Sequence, residues 1–67
     1  MRFVMQTWTA KVSGKLVEAS VCLLHEQMEA SEAKARRLMA DFAHRKGIAE
    51  HQIDWPTLRI AATCEVA

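Results

Sequence analysis

The chain has 67 residues, nine Lys/Arg against eight Asp/Glu, and a hydrophobic fraction of 51%. That is room for one globular domain, too apolar for a disordered tail and too evenly charged for a general attraction to nucleic acid or anionic lipid. No run reaches the ~18 apolar residues of a membrane-spanning helix.

The N-terminal stretch Met1-Arg2-Phe3-Val4-Met5 is basic and apolar, but Gln6, Thr7 and Thr9 break it before a signal-peptide core can form. The expected location is the cytoplasm, with Cys22 and Cys64 reduced. A domain this small buries only ~60% of its unfolded surface and often leans on a partner.

The first strand reads Arg2 to Val12. Val4, Trp8, Ala10 and Val12 share a face at period two, with Gln6 the one polar exception. Ser13-Gly14 supplies a two-residue turn, and Gly14 can take positive φ. The second strand, Lys15 to about Leu24, carries Val17, Ala19, Val21 and Leu23 on one face. A two-residue turn sets Val12 opposite Lys15, Ala10 opposite Val17, Trp8 opposite Ala19 and Val4 opposite Leu23. Turn and alternation therefore agree, and a slip of one residue would turn one strand's apolar set outward.

His25 to Ala30 connects. Ser31 is the expected N-cap of a helix over 32–46, with Glu32 at its positive end and Ala35, Leu38, Met39 and Phe42 as its buried stripe. His44, Arg45 and Lys46 suit the negative end, and Gly47 suits the residue after it. A loop follows, from Ile48 to Trp55, with room for one helical turn. Trp55 precedes Pro56, which biases it to an extended conformation. The third strand is expected over 57–66, with Leu58, Ile60, Ala62, Cys64 and Val66 on the core face.

The fold class is thus α+β, in the order ββαβ. A three-stranded antiparallel/mixed sheet of order 2-1-3, its first strand in the middle and antiparallel to both neighbours, has one helix on one face, in a single domain over 1–67. Trp8 belongs to the core against Leu38 or Phe42, and Trp55 closes the core at the helix end. One helix covers one face; the other face has no cover within the chain.

Chemistry-bearing residues do not converge in this arrangement. Cys22-x-x-His25 has ligand-like spacing, but the register sends Cys22 and Cys64 to opposite faces, and His44 points away from the sheet. Four converging ligands are needed for structural zinc, so no metal and no cofactor are expected. There is no phosphate loop, nucleophile elbow or carboxylate pair, and the expectation is a protein that is not an enzyme and has no catalytic residue.

Two surfaces remain. The outer helix face carries Lys34, Arg36, Arg37 and Arg45 around Ala33 and Ala40, with Asp41 and His44, and is the expected contact for an acidic partner. No aromatic lies there for base stacking. On the uncovered sheet face Phe3 stands opposite Leu24 and Met5 opposite Cys22, an apolar cluster suited to a homodimer or other apolar contact. Toward the turn that face becomes polar, through Thr7, Ser20, Thr9 and Glu18.

The element order, together with the helix opening Ser31-Glu32-Ala33-Lys34-Ala35-Arg36, resembles small ββαβ proteins encoded by phages and mobile elements, among them type I anti-CRISPR inhibitors. The resemblance implies a protein that blocks a larger nucleoprotein machine by occupying a binding surface, in the host cytoplasm if phage-encoded. Two further readings use the same surfaces: a nucleic-acid-binding module working through the helix ridge, and a structural homo-oligomeric subunit of a phage or bacterial assembly.

Overall fold

The computed structural model describes residues 2–66, so Met1 and Ala67, at the limits of the expected domain, lie outside the described residues. Two ten-residue strands, β1 (Phe3–Val12) and β2 (Lys15–Leu24), form a hairpin. A 3₁₀ stretch (His25–Ala30) leads into the helix α1 (Ser31–Arg45). One further 3₁₀ turn (Glu50–Gln52) precedes β3 (Ile53–Val66), which starts four residues before the expected Thr57. The sheet order is β2-β1-β3, with β1 antiparallel to both neighbours.

The hairpin register is the one the apolar alternation dictates, from Val12↔Lys15 to Phe3↔Leu24. Ser13 and Gly14 have φ of 51° and 78°. Two positive φ values make the turn whose twist matches that of the strands. Gln52 anchors it from across the molecule: its carbonyl accepts from the Ser13 N–H at 3.0 Å, and the Ser13 hydroxyl donates to its Oε1 at 3.2 Å.

Helix α1 begins and ends one residue earlier than expected, and Ser31 is not its cap. The N-cap is Ala30, already helical in its backbone, because the 3₁₀ stretch runs straight into α1. The C-terminus closes as the sequence suggests. Gly47 has φ 71°, the Ile48 N–H bonds the Ala43 carbonyl at 2.8 Å, and the Gly47 N–H bonds that of His44 at 3.1 Å. This double bond pattern satisfies carbonyls that a helix end leaves orphaned.

The buried stripe of α1 is Ser31, Ala35, Met39 and Ala43, not Ala35, Leu38, Met39 and Phe42. Leu38 is exposed and Phe42 half-buried. Small side chains at 31, 35 and 43 let the helix backbone come close to the sheet, and the axis lies chiefly over β2. The 38/42 flank therefore overhangs the β2 edge instead of entering the core. Trp8 packs on Val21 and Ala35 with Leu23 and Leu58 beside it, rather than on Leu38 or Phe42. At the other end Val12, Ala43 and Ile53 form a second cluster, closed by Val17, Ile48 and Trp55.

β3 departs from the expected alternation at two irregularities. Between the pairs Thr9↔Arg59 and Lys11↔Asp54, Ala10 alone faces the segment Trp55-Pro56-Thr57-Leu58. Thr57 repairs the ladder: its hydroxyl donates to the Asp54 carbonyl at 2.6 Å and accepts from the Lys11 N–H at 2.8 Å. Between Trp8↔Ile60 and Thr7↔Ala62, Ala61 is an extra residue. One inserted residue inverts every side chain beyond it. Ala62, Cys64 and Val66 consequently lie on the outer face, opposite Thr7, Met5 and Phe3, whereas Thr63 and Glu65 turn to the helix side.

Candidate functional site

The inversion of β3 enlarges the outer apolar cluster. Three cross-strand rows now run across the sheet: Leu24–Phe3–Val66, Cys22–Met5–Cys64 and Ser20–Thr7–Ala62. Phe3, Met5 and Val66 are 41%, 39% and 40% exposed, and both thiols are free and exposed. Cys22 and Cys64 thus share a face, contrary to the expectation, and Cys64 is not a core residue. They are separated by Met5, two strand spacings or about 10 Å, beyond the ~7 Å limit for a disulfide.

Toward the turn this face is polar. Thr9 is buried at its centre, while Leu16, Lys11, Pro56, Thr57 and Arg59 surround a shallow open hollow. On the opposite side, Phe3 and Val66 are followed by the exposed ion pair of Arg2 with Glu65 at 3.5 Å.

The helix side contains Gln6, the half-buried polar exception among the inward-facing residues of β1. The indole Nε1–H of Trp8 donates to Ser31 Oγ at 2.9 Å, and the Ser31 hydroxyl donates to Gln6 Oε1 at 2.6 Å. Gln6 Nε2 in turn donates to Thr63 Oγ1 at 3.4 Å. This chain of bonds ties β1, α1 and β3 together and satisfies the indole inside the core. Its signal in the sequence was Gln6 among inward residues, combined with a serine four residues before the buried Ala35.

On the helix, Lys34, Arg36, Arg37 and Arg45 are all exposed but do not act as one set. Arg36 bonds Glu32 at 3.3 Å, and its guanidinium lies 5.1 Å from the centre of the Trp55 ring. It is thereby turned toward the β3 side. Arg45 instead lines a shallow hollow with Leu38, Met39, Phe42 and the β2 residues Glu18, Ala19 and Ser20. Lys46 lies 5.9 Å from the Phe42 ring centre. Lys34, Arg37 and Arg45 make no ion pair among the described residues.

No group of three His, Cys, Asp or Glu side chains that could hold a metal ion occurs among the described residues. No helix among them is long and apolar enough to cross a membrane. Comparison with protein-family models, curated proteins and solved structures finds no match.

Proposed function

We propose that the chain is a non-enzymatic interaction protein that acts by occupying a surface of a larger complex. The observation that carries this reading is the outer row Cys22–Met5–Cys64 with Leu24, Phe3 and Val66 beside it, apolar side chains standing in water on a sheet face that no element among the described residues covers. An antiparallel sheet that faces only water is polar on that side.

Size decides how such a patch would work. Two rows about 7 Å apart across three strands about 4.8 Å apart span roughly 200 Å². A stable interface needs about 800 Å² per partner. The cluster is therefore the centre of a larger contact, rimmed toward the turn by Thr7 and Ser20. A desolvated apolar centre with a polar rim is the usual anatomy of a contact between proteins. The likeness in element order to type I anti-CRISPR inhibitors supports a nucleoprotein complex as the target.

A tagged chain expressed in its native host, captured and read by mass spectrometry with and without nuclease, tests the reading. The expected result is a defined set of proteins that survives nuclease and is lost with Met5→Lys. Equal capture by Met5→Lys would overturn it.

A second reading rests on the unpaired cations Lys34, Arg37 and Arg45: a nucleic-acid contact along the helix. In that case affinity falls linearly with salt on a log–log plot, and Arg37→Glu reduces the slope by about 2, one lost cation and one added repulsion. A third, homo-oligomerisation through the outer face, predicts a mass that rises with concentration in light scattering and returns to the monomer with Met5→Lys.

A further inference from the structure

Strand β2 is an edge strand, and its free backbone groups can be assigned. In a two-residue hairpin the pair flanking the loop, Val12↔Lys15, exchanges both backbone bonds, and alternate pairs repeat this along the ladder. The far end agrees: the His25 N–H bonds the Arg2 carbonyl at 2.9 Å, in phase with that alternation, while the Leu24 N–H turns away from β1 to Gln27 Oε1 at 3.3 Å. The N–H and C=O groups of Leu16, Glu18, Ser20 and Cys22 therefore point away from β1, along the open edge.

Beside this edge runs the overhanging flank of α1. Leu38 and Phe42 rise from the helix next to Ala19, with Arg45 one turn further on. That the opposite flank faces β3 follows from Arg36, which reaches Trp55. The hollow is thus bounded by a helix wall with two apolar side chains and one cation, and by a strand edge with unsatisfied donors and acceptors.

We propose that this groove binds an extended segment of a partner protein as a fourth strand, paired with the backbone of Glu18 and Ser20. Main-chain pairing at a sheet edge, with alternate side chains seated in a groove, is a general mode of peptide recognition. The spacing sets the chemistry. The midpoint of Leu38 and Phe42 lies five helical residues from Arg45, about 7.5 Å along the axis. Two residues of a strand advance about 6.8 Å and return to the same face. The bound segment therefore carries an apolar side chain between Leu38 and Phe42 and an acidic one two residues away, against Arg45.

Charge on the groove agrees. Among the described residues Arg45 has no ion-pair partner, even though Asp41 lies four residues before it. Glu18 lines the same hollow along the strand edge, but it stands opposite Thr9, so its side chain leaves from the outer face of the strand. This surface is separate from the outer apolar rows, and the proposal does not depend on them.

The test uses the full chain labelled with ¹⁵N and the probe acetyl-Thr-Thr-Leu-Thr-Asp-Thr-amide, alongside a counterpart with Lys in place of Asp. Saturable amide shifts are expected over residues 16–22 and 38–45, with the Lys counterpart at least tenfold weaker. Ser20→Pro removes an edge N–H that β1 does not use, and Leu38→Glu charges an exposed wall of the groove; each is expected to weaken the probe at least tenfold. Unchanged β3 amides in either variant establish that the fold is intact. Absence of saturable shifts at millimolar probe overturns the proposal, as do equal affinities for the Asp and Lys peptides. Dimerisation through β2 without peptide overturns it in favour of a second copy of the chain.

Discussion

The two faces of the sheet both carry apolar side chains but solve opposite problems. On the helix side, Ala35, Met39 and Ala43 are essentially inaccessible, and the Trp8 indole, the buried Ser31 hydroxyl and the Gln6 amide are bonded to one another. On the outer side, Phe3, Met5 and Val66 stay about two-fifths exposed in cross-strand rows that no element among the described residues covers. The first face is close-packed and hydrogen-bonded to completion, as interiors are. The second is organised but left wet. The contrast teaches that stability and recognition are separable here, and substitutions on the two faces should have effects of different size and kind.

The largest expected effect is on the helix side. Trp8→Ala removes the ring that Val21, Ala35, Leu23 and Leu58 surround. Loss of a buried Trp costs about 3–5 kcal/mol. Since a domain of this size has only about 3–5 kcal/mol to lose, the variant should be largely unfolded at 25 °C by circular dichroism. A cooperative melt close to that of the parent would show that the Trp8 cluster is not the centre of stability.

Ser31→Ala comes next. It orphans the Trp8 indole N–H, and one buried donor without a partner costs about 1–3 kcal/mol. Urea titration followed by Trp fluorescence measures this. A loss that Gln6→Ala does not share would break the chain of bonds into independent contacts. Gly14→Ala should cost less, about 1 kcal/mol. Open space surrounds Gly14, so only its φ of 78° resists a side chain.

How these sites could be foreseen differs with the physics behind them. The hairpin was legible to the residue because two independent constraints, a glycine turn and period-two alternation, demand the same register. The Gly47 helix end was legible because a cationic last turn and a glycine after it both mark a helix C-terminus. β3 was not legible beyond its existence. Its alternation looks regular, and nothing in Ala61-Ala62 announces which alanine is the extra one, so alternation alone puts Cys64 in the core, whereas it lies on the outer face. Hydrophobicity alone points to the wrong helix stripe. Leu38 is a better core residue than Ala43 by transfer free energy, but a close helix–sheet approach selects small side chains, and the helix position over β2 leaves Leu38 at the edge. Of the candidate contact residues, Phe3, Met5, Cys22 and Leu24 do come together, and Val66 and Cys64 join them. The four cations split, with Arg36 held at Trp55 and Arg45 at the β2 groove.

The smallest effect is the sharpest test of the comparison. Met5 occupies the centre of the outer face on the middle strand, between Cys22 and Cys64. Were this face covered by the chain's own ends, Met5→Thr would remove a largely desolvated side chain and cost 2 kcal/mol or more, in the range of core truncations. Because Met5 is 39% exposed and its neighbours also meet water, threonine, a good strand former, should change the unfolding free energy by less than about 0.5 kcal/mol. The same substitution should abolish capture of the partner proposed for the outer rows, since it removes the apolar centre and leaves the rim intact. Equal stability with lost binding separates the two faces as argued. A loss above 1 kcal/mol in urea, or unchanged binding, would make the outer rows a second core and return the search for a contact surface to the helix flank and the β2 edge.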